Sequence, residues 1–402
     1  MPGRRTVRSG SSKPPEVTHE FASRLVAWQA RHGRHDLPWQ HGRDPYRVWL
    51  SEVMLQQTQV ATVIPYYERF VERLPDVRAL AAASEDEVLA LWSGLGYYSR
   101  ARNLHRCARI VVSEHGGCFP PDPADLAALP GIGRSTAAAI AVFAFGGRAA
   151  ILDGNVRRVL ARVFAVGGDP ASAAVQRRLW EIAERELPGR GLPAYTQGLM
   201  DLGATVCTRG LPACDRCPVS ALCEARASGR IDEFPGRRRR RASPLRQSVL
   251  LVVRGPAGVY LVKRPARGLW GGLWSLPESA LAVPEGEVAS EAAVRAAAAA
   301  LAAGVGLAGA DARALAPFEH VFTHFRLRAW PMLVEHADSA ALSAAEPGRA
   351  GWWPVGRLVQ APLPAPVRTL LASLPDPAGG GITPNDAPTS RARYRGSPSA
   401  CR

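Results

Sequence analysis

The stretch Cys207-Thr-Arg-Gly-Leu-Pro-Ala-Cys214-Asp-Arg-Cys217-Pro-Val-Ser-Ala-Leu-Cys223 holds four of the chain's seven cysteines in the spacing C-x6-C-x2-C-x5-C. Four thiolates so close together in a polar, loop-rich segment are suited to wrapping a metal body. Tetrahedral zinc and a [4Fe–4S] cluster both accept four sulfur ligands. Zinc sites usually present two short knuckles. Here there is one, with uneven outer gaps, which suits a cubane better. Disulfides are the remaining alternative, but the other cysteines (Cys107, Cys118, Cys401) are scattered and odd in number, and no secretory signal is read ahead of them.

Working outward, a chain of 402 residues should hold two domains or three. An apolar content of 47% and a charged content of 21% are ordinary for globular proteins. The charge balance is not: 50 Lys and Arg face 35 Asp and Glu, a formal net of +15. That field favours a polyanion, nucleic acid first. Part of the excess sits in Arg4, Arg5, Arg8 and Lys13 and in the run Arg237–Arg241. The N-terminus is Arg- and Ser-rich, as transit peptides are, yet it has no amphipathic pattern and reads as a basic disordered arm over 1–17. The longest apolar stretch, Ala296–Ala310, is mostly Ala and Gly and short of the roughly 20 residues a spanning helix needs, so no membrane segment is expected. A reducing cytoplasmic, nucleoid-associated, bacterial setting is expected.

Apolar residues recur at helical spacing in Phe21–Leu25–Trp28, in Val48–Trp49–Val53–Val60–Ile64 and in Val156–Leu160–Val163, which predicts a mainly α region from 18 to 233. Residues 234–246 read as a basic linker. Ser248–Arg254 and Val259–Arg264 are β-branched runs around a Gly-Pro-Ala-Gly turn, a predicted hairpin. An Ala-rich helix at about 286–302 and a strand at Arg326–Val334 complete an α+β domain over 247–375, and 376–402 reads as a disordered tail.

Leu129-Pro-Gly131-Ile-Gly133 followed by a helical pattern reads as a helix–hairpin–helix. Two glycines around one apolar residue allow a turn with φ > 0, and the free N–H groups of the next helix suit a DNA phosphate. A plain αα-corner is the alternative, and the four cysteines nearby favour DNA. Asp153 precedes a strong helical pattern and reads as an N-cap, a carboxylate that the helix dipole keeps ionised. Glu52 lies among Leu50, Val53, Met54 and Leu55. In such surroundings its pKa should rise and its proton be kept for donation, unless the residue is a surface Glu of an amphipathic helix. One protonated and one ionised carboxyl match the needs of glycosidic cleavage.

In this order the motifs resemble the adenine DNA glycosylases of the MutY family, within the helix–hairpin–helix superfamily that also holds endonuclease III. The resemblance runs from about Leu37 to Pro235 through Leu-Pro-Trp39, Trp49–Val60, Leu91-Trp-Ser-Gly-Leu-Gly-Tyr-Tyr98, Leu129–Thr136, Asp153-Gly-Asn-Val156 and the four cysteines. It implies two helical lobes (about 38–150, and 18–37 with 151–233) flanking an active-site cleft, with a [4Fe–4S] cluster on Cys207, Cys214, Cys217 and Cys223. It implies removal of adenine mispaired with 8-oxoguanine or guanine in double-stranded DNA by a monomer. By position, Glu52 would protonate the adenine, Asp153 support the sugar cation and Asn155 orient groups around the site. Gln57, Thr58, Leu95 and Tyr97 would act on the opposite base and the opened stack. Bifunctional relatives place a Lys where this chain has Ser135; a hydroxyl forms no imine, so a monofunctional enzyme is expected.

The C-terminal region resembles the Nudix-like domain with which the family reads 8-oxoguanine, through Arg267-Gly-Leu-Trp-Gly-Gly-Leu-Trp-Ser-Leu-Pro277. The helix Ser290–Ala300 lacks the clustered Glu of a working Nudix hydrolase, so recognition without hydrolysis is expected. The family's His-x-Phe-Ser-His loop is matched by His320-Val-Phe322-Thr323-His324. Two other readings are a glycosylase of other mismatch or oxidised-base specificity, and a non-catalytic DNA-binding protein with a structural ion. Ser135 and the Nudix-like region oppose the first, the two carboxylates the second.

Overall fold

The computed structural model describes residues 17–236, 243–284, 286–322, 324–335, 342 and 348–374. The expected basic arm at 1–17 (apart from Val17) and tail at 376–402, the whole run Arg237–Arg241 within the linker, and Thr323 fall outside these residues.

The helical region contains α1 (Val17–His32), α2 (Pro45–Leu55), α3 (Val60–Arg73), α4 (Val77–Ala82), α5 (Glu85–Trp92), α6 (Ser99–Glu114), α7 (Pro123–Ala128), α8 (Arg134–Phe145), α9 (Gly154–Val163), α10 (Ala173–Arg185), α11 (Leu192–Thr205) and α12 (Glu224–Ala227). The C-terminal region contains β1 (Leu245–Gly255), β2 (Gly258–Lys263), β3 (Trp274–Ser275), β4 (Glu278–Leu281), α13 (Glu291–Gly304), β5 (Arg313–Ala314), β6 (Phe318–Val321), β7 (Arg326–Glu335), β8 (Ala350–Trp353) and α14 (Ala365–Ala372). Helices followed by an α+β sheet match the expected fold class. The chain divides into two compact units, one of residues 1–57 and 119–239, the other of 58–118 and 240–402.

In the first unit α1 packs on α11, α2 on α8, and α9 on α11. Phe21, Leu25, Leu160, Leu179, Tyr195 and Leu202 form its core, all nearly inaccessible to solvent. Of these, Phe21, Leu25 and Leu160 belong to the 3–4-spaced sequence pattern. Asp201, fully buried on α11, accepts from the backbone N–H of Arg34 at 2.9 Å, from its Nε at 2.7 Å and from Gln197 Nε2 at 2.8 Å. That ties the segment after α1 to α11. The continuous pattern expected from Val48 to Ile64 is broken: α2 stops at Leu55, and Gln57 takes φ 60° before α3 begins. A left-handed residue cannot continue a right-handed helix.

In the second unit α3, α4, α5 and α6 pack around Phe70, Leu80, Leu89, Trp92 and Leu104. The eight strands form one sheet whose spine runs β3-β2-β1-β7-β5. The predicted hairpin is present, with Gly255 opposite Gly258. β1 pairs parallel with β7 over its length. Its side chains alternate: Leu250 and Val252 face the cluster that includes Val367 and Leu371 of α14, while Val249, Leu251 and Val253 face the one that includes Val294 and Ala298 of α13. Both faces are covered, which is why this strand reads as an unbroken apolar run. The Ala-rich helix starts at Glu291 rather than about 286, because Ser290 Oγ caps it by accepting from Ala293 N at 3.3 Å. No helix among the described residues is long and apolar enough to cross a membrane.

Candidate active site

Glu52 sits on α2 between Ser51 and Val53, both buried, with Trp49 one turn earlier at 0% exposure. Burial pushes its carboxyl up to about 8, and the nearby negative charge of Asp153 pushes in the same direction. At neutral pH Glu52 is therefore a proton-bearing acid. Gln56, the C-cap of α2, donates from Nε2 to Thr136 Oγ1 on α8 at 3.3 Å, which ties the end of the Glu52 helix to the hairpin helix.

Asp153 is the N-cap of α9, its Oδ1 accepting from Val156 N at 2.7 Å. Burial raises its pKa above the usual carboxylate range, opposed by the N–H groups of Val156 and Asn155 and by Arg158 and Arg157. The two carboxyls thus differ in kind. Glu52 lies in an apolar setting with a negative neighbour, whereas Asp153 lies among donors and cations. The negative charge of Asp153 thus adds to burial in holding the proton on Glu52.

Asn155 is held from behind. Its Oδ1 accepts from Arg158 Nη2 at 2.9 Å, and Arg158 also donates to Gly203 O at 2.6 Å and, through Nε, to Cys207 O at 2.7 Å. Gly203 has to be glycine here, since a Cβ would fall 2.6 Å from Asn155 Cβ. Arg162, one turn on, donates to Thr208 O at 2.7 Å, to Phe234 O at 2.9 Å and to Cys207 Sγ at 3.4 Å. Sequence reasoning missed both arginines. Their signal was present: cations at i and i+4 on the apolar face of α9, where an unpaired charge would be intolerable.

Ser135 Oγ accepts from the backbone N–H of Leu152 at 2.9 Å. The hydroxyl braces the residue next to Asp153. Gly131 has the expected left-handed conformation, φ 80°, but Gly133 does not: it is the extended N-cap of α8, φ −86°. The turn needs only one positive φ, because Ile132 N donates to Leu129 O at 3.2 Å and carries its own side chain into the core. No side chain caps α8. Its first N–H groups are therefore open to an anion.

Cys207, Cys214, Cys217 and Cys223 are free thiols, and all four line one cavity with Val159 and Leu202. Burial, and secondarily the other cysteines, push Cys217 up to about 11; burial raises Cys223 as well. Gathered thiolates repel one another, so neighbouring cysteines in this cavity favour the neutral thiol. Among the described residues no three His, Cys, Asp or Glu side chains converge tightly enough for one metal ion.

Gln57 closes the first unit, exposed and left-handed. Gly131 and Gly133 lie in the same unit, whereas Thr58, Leu95, Tyr97, Phe322 and His324 lie in the second. Thr58 Oγ1 accepts from Arg100 Nη2 at 3.1 Å. Arg100 also holds Leu95 O and Gly96 O at 3.2 Å each, a brace the sequence did not single out. Leu95 is buried at 6% exposure, whereas Tyr97 is 47% exposed at φ 48°. Of these two, Tyr97 is the side chain the turn presents to solvent. Phe322 lies in an aromatic group: 4.6 Å from Phe325 in a stacked pair, 4.6 Å from His320 and 5.6 Å from Trp270. His324 is exposed beside it.

Residues 50–185 match the HhH-GPD superfamily of base excision DNA repair proteins, and residues 248–373 match the NUDIX domain. An adenine DNA glycosylase of Buchnera aphidicola subsp. Acyrthosiphon pisum is 36% identical over 258 residues, covering 64% of this chain and 74% of that protein. One of Mycolicibacterium smegmatis is 39% identical over 256 residues, 60% of this chain and 86% of its own. That of Homo sapiens is 40% identical over 316 residues, 65% of this chain and 58% of its own. With the paired carboxyls and the hairpin helix on the matched segment, the chain belongs to the adenine DNA glycosylase family of base excision repair.

Proposed function

We propose that this chain removes adenine opposite 8-oxoguanine or guanine in duplex DNA by hydrolysis, acting as a monomer and leaving the abasic strand uncut. The observation that supports this best is the pairing of Glu52, which holds its proton to about pH 8, with an Asp153 bathed in donors. Protonating an adenine ring nitrogen makes the base a better leaving group, and the Asp153 carboxylate faces the oxocarbenium-like sugar that develops. The target must first be unstacked and flipped, at a cost of a few kcal/mol. Tyr97, exposed on its strained turn, is suited to fill the vacated stack, while Gln57 and Thr58 address the opposite base. The uncapped start of α8, with Gly131 and Gly133, receives a backbone phosphate.

Cys207, Cys214, Cys217 and Cys223 would hold a [4Fe–4S] cluster, which when bound supplies the positive charge that keeps four thiolates together and rigidifies the loop. Arg158 and Arg162 grip that loop from α9, and Arg158 at the same time positions Asn155. Ser135 offers no amine, which supports base removal without strand nicking. The region 247–375 reads the lesion through the His320–His324 loop. Its helix α13 offers Glu291 alone in the first turn, paired with Arg295 at 2.8 Å, which supports recognition without hydrolysis.

Single-turnover assays on A:8-oxoguanine, A:G, T:G and undamaged duplexes test this reading. Cleavage of the first two after alkali, with no spontaneous nicking, is expected. Excision of thymine, or no excision at all, would overturn it.

A further inference from the structure

The turn that carries Leu95 and Tyr97 is gripped from the C-terminal region. Ser93 Oγ donates to Leu363 O at 2.9 Å, and Tyr98 OH donates to the same carbonyl at 3.2 Å. Arg368 on α14 donates to Ser93 Oγ at 2.8 Å and to Ala361 O at 2.8 Å, and its other terminal nitrogen donates to Val359 O at 2.9 Å. Ser93 and Tyr98 bracket Gly94–Tyr97, so both ends of the turn are fastened to one short segment. Tyr98 is only 7% exposed, which makes these bonds costly to leave unmade.

The turn itself is strained. Tyr97 holds φ 48° and Gly94 φ 108°, and a Cβ on Gly94 would fall 2.1 Å from Tyr66 Oη. A non-glycine residue stays left-handed only when its surroundings over-determine it. From the helical side the bonds are Tyr66 OH to Ser93 O at 3.1 Å and Arg100 to Leu95 O and Gly96 O. From the C-terminal side they are Ser93, Tyr98 and Arg368. A second tie joins the same partners: Lys263 of β2 pairs with Asp86 of α5 at 2.7 Å, and Arg102 of α6 donates to Gly271 O. Gly271 adjoins Trp270, whose ring packs 5.6 Å from Phe322. Packed groups thus run without a gap from the lesion-reading loop to the start of α6.

We propose that the Arg368–Ser93–Leu363–Tyr98 latch is a specificity device: it lets the C-terminal region set the conformation of the Tyr97 turn, so that reading the lesion accelerates adenine removal. Arg368 and Tyr98 are positioning residues in this scheme. The proposal rests on the function proposed above. A coupling of this kind acts through an element that both sites bias, and the Tyr97 turn, held from the helical and the C-terminal side alike, is placed to be that element.

The test is single-turnover excision on A:8-oxoguanine and A:G duplexes by full-length wild type, Arg368→Met, Arg368→Lys and Tyr98→Phe, with amide hydrogen exchange of residues 94–98. Arg368→Met is expected to slow A:8-oxoguanine excision by about tenfold, the scale of one or two lost charge-assisted hydrogen bonds. A:G excision should stay within about twofold, on the same reasoning that no base contact is lost. Arg368→Lys, still able to reach Ser93, should recover much of the loss, and exchange at 94–98 should rise in Arg368→Met. A parallel fall in both rates would mean a merely structural contact and overturn the latch, as would unchanged exchange. A wild type that prefers 8-oxoguanine while Arg368→Met keeps the full preference overturns the latch alone. A wild type with no such preference overturns the specificity reading and the latch with it.

Discussion

Glu52→Gln separates the chemistry of this site from its stability. Glu52 in the folded protein holds its proton to about pH 8, against 4.5 for an ordinary Glu. At pH 7 roughly 90% of molecules then carry the proton, and at pH 9 roughly 10% do, since each pH unit is a factor of ten. Wild-type excision should therefore fall along an alkaline limb with its midpoint near pH 8. On the acid side it should fall as Asp153 protonates, above the ordinary carboxylate value because its pKa is also raised. Glu52→Gln should lose about 10²- to 10⁴-fold in single-turnover rate, the usual contribution of a general acid, and lose the alkaline limb with it. Stability should move the other way. A folded-state pKa above the unfolded one contributes stability that is present below about pH 4.5 and lost progressively up to about pH 8. Above that window the folded protein confines a charge in an apolar site. The amide carries none, so Glu52→Gln should melt higher than wild type at pH 8.5 and the advantage should vanish toward pH 4.5. The paired assays are quenched-flow excision and thermal melting across pH 4.5–9. A variant with near-normal excision, or one melting lower than wild type at pH 8.5, would refute the assignment.

Asp153→Asn should abolish excision while changing the melting temperature little, because Asn also caps helices and can still accept from Val156 N; binding to lesion duplex, measured by titration, should persist since phosphate contacts supply most of the affinity. Anaerobically purified protein should be brown, with about four irons and no zinc per chain by metal analysis, as expected of one cubane. Asp201→Ala removes the buried partner of Arg34 and should cost about 3 kcal/mol in a denaturant titration, the range for breaking a buried pair from one side. Ser135→Lys should gain borohydride-trappable adducts and strand nicking, and should lose about 1 kcal/mol of stability because Leu152 N–H loses its acceptor; trapping by the wild type would overturn the monofunctional assignment.

What this sequence determines by itself is the set of parts. The cysteine spacing, the Leu129–Thr136 turn, Asp153 before an apolar helix and Glu52 within one are local patterns, and each depends on residues within a turn or two of itself. The unbroken apolar run Val249–Val253 likewise announces a strand, and the structure covers both of its faces. What only the tertiary structure decides is how residues far apart in the chain act on one another. The charge of Asp153 helps hold the proton on Glu52 although about a hundred residues separate them. Asn155 is steadied by an arginine that also grips Cys207. Ser135 spends its hydroxyl on Leu152, Leu95 turns inward while Tyr97 stays exposed, and Arg368 reaches back to Ser93 across 275 positions. Hydrogen bonds and desolvation depend on distance in space, and sequence patterns record only distance along the chain.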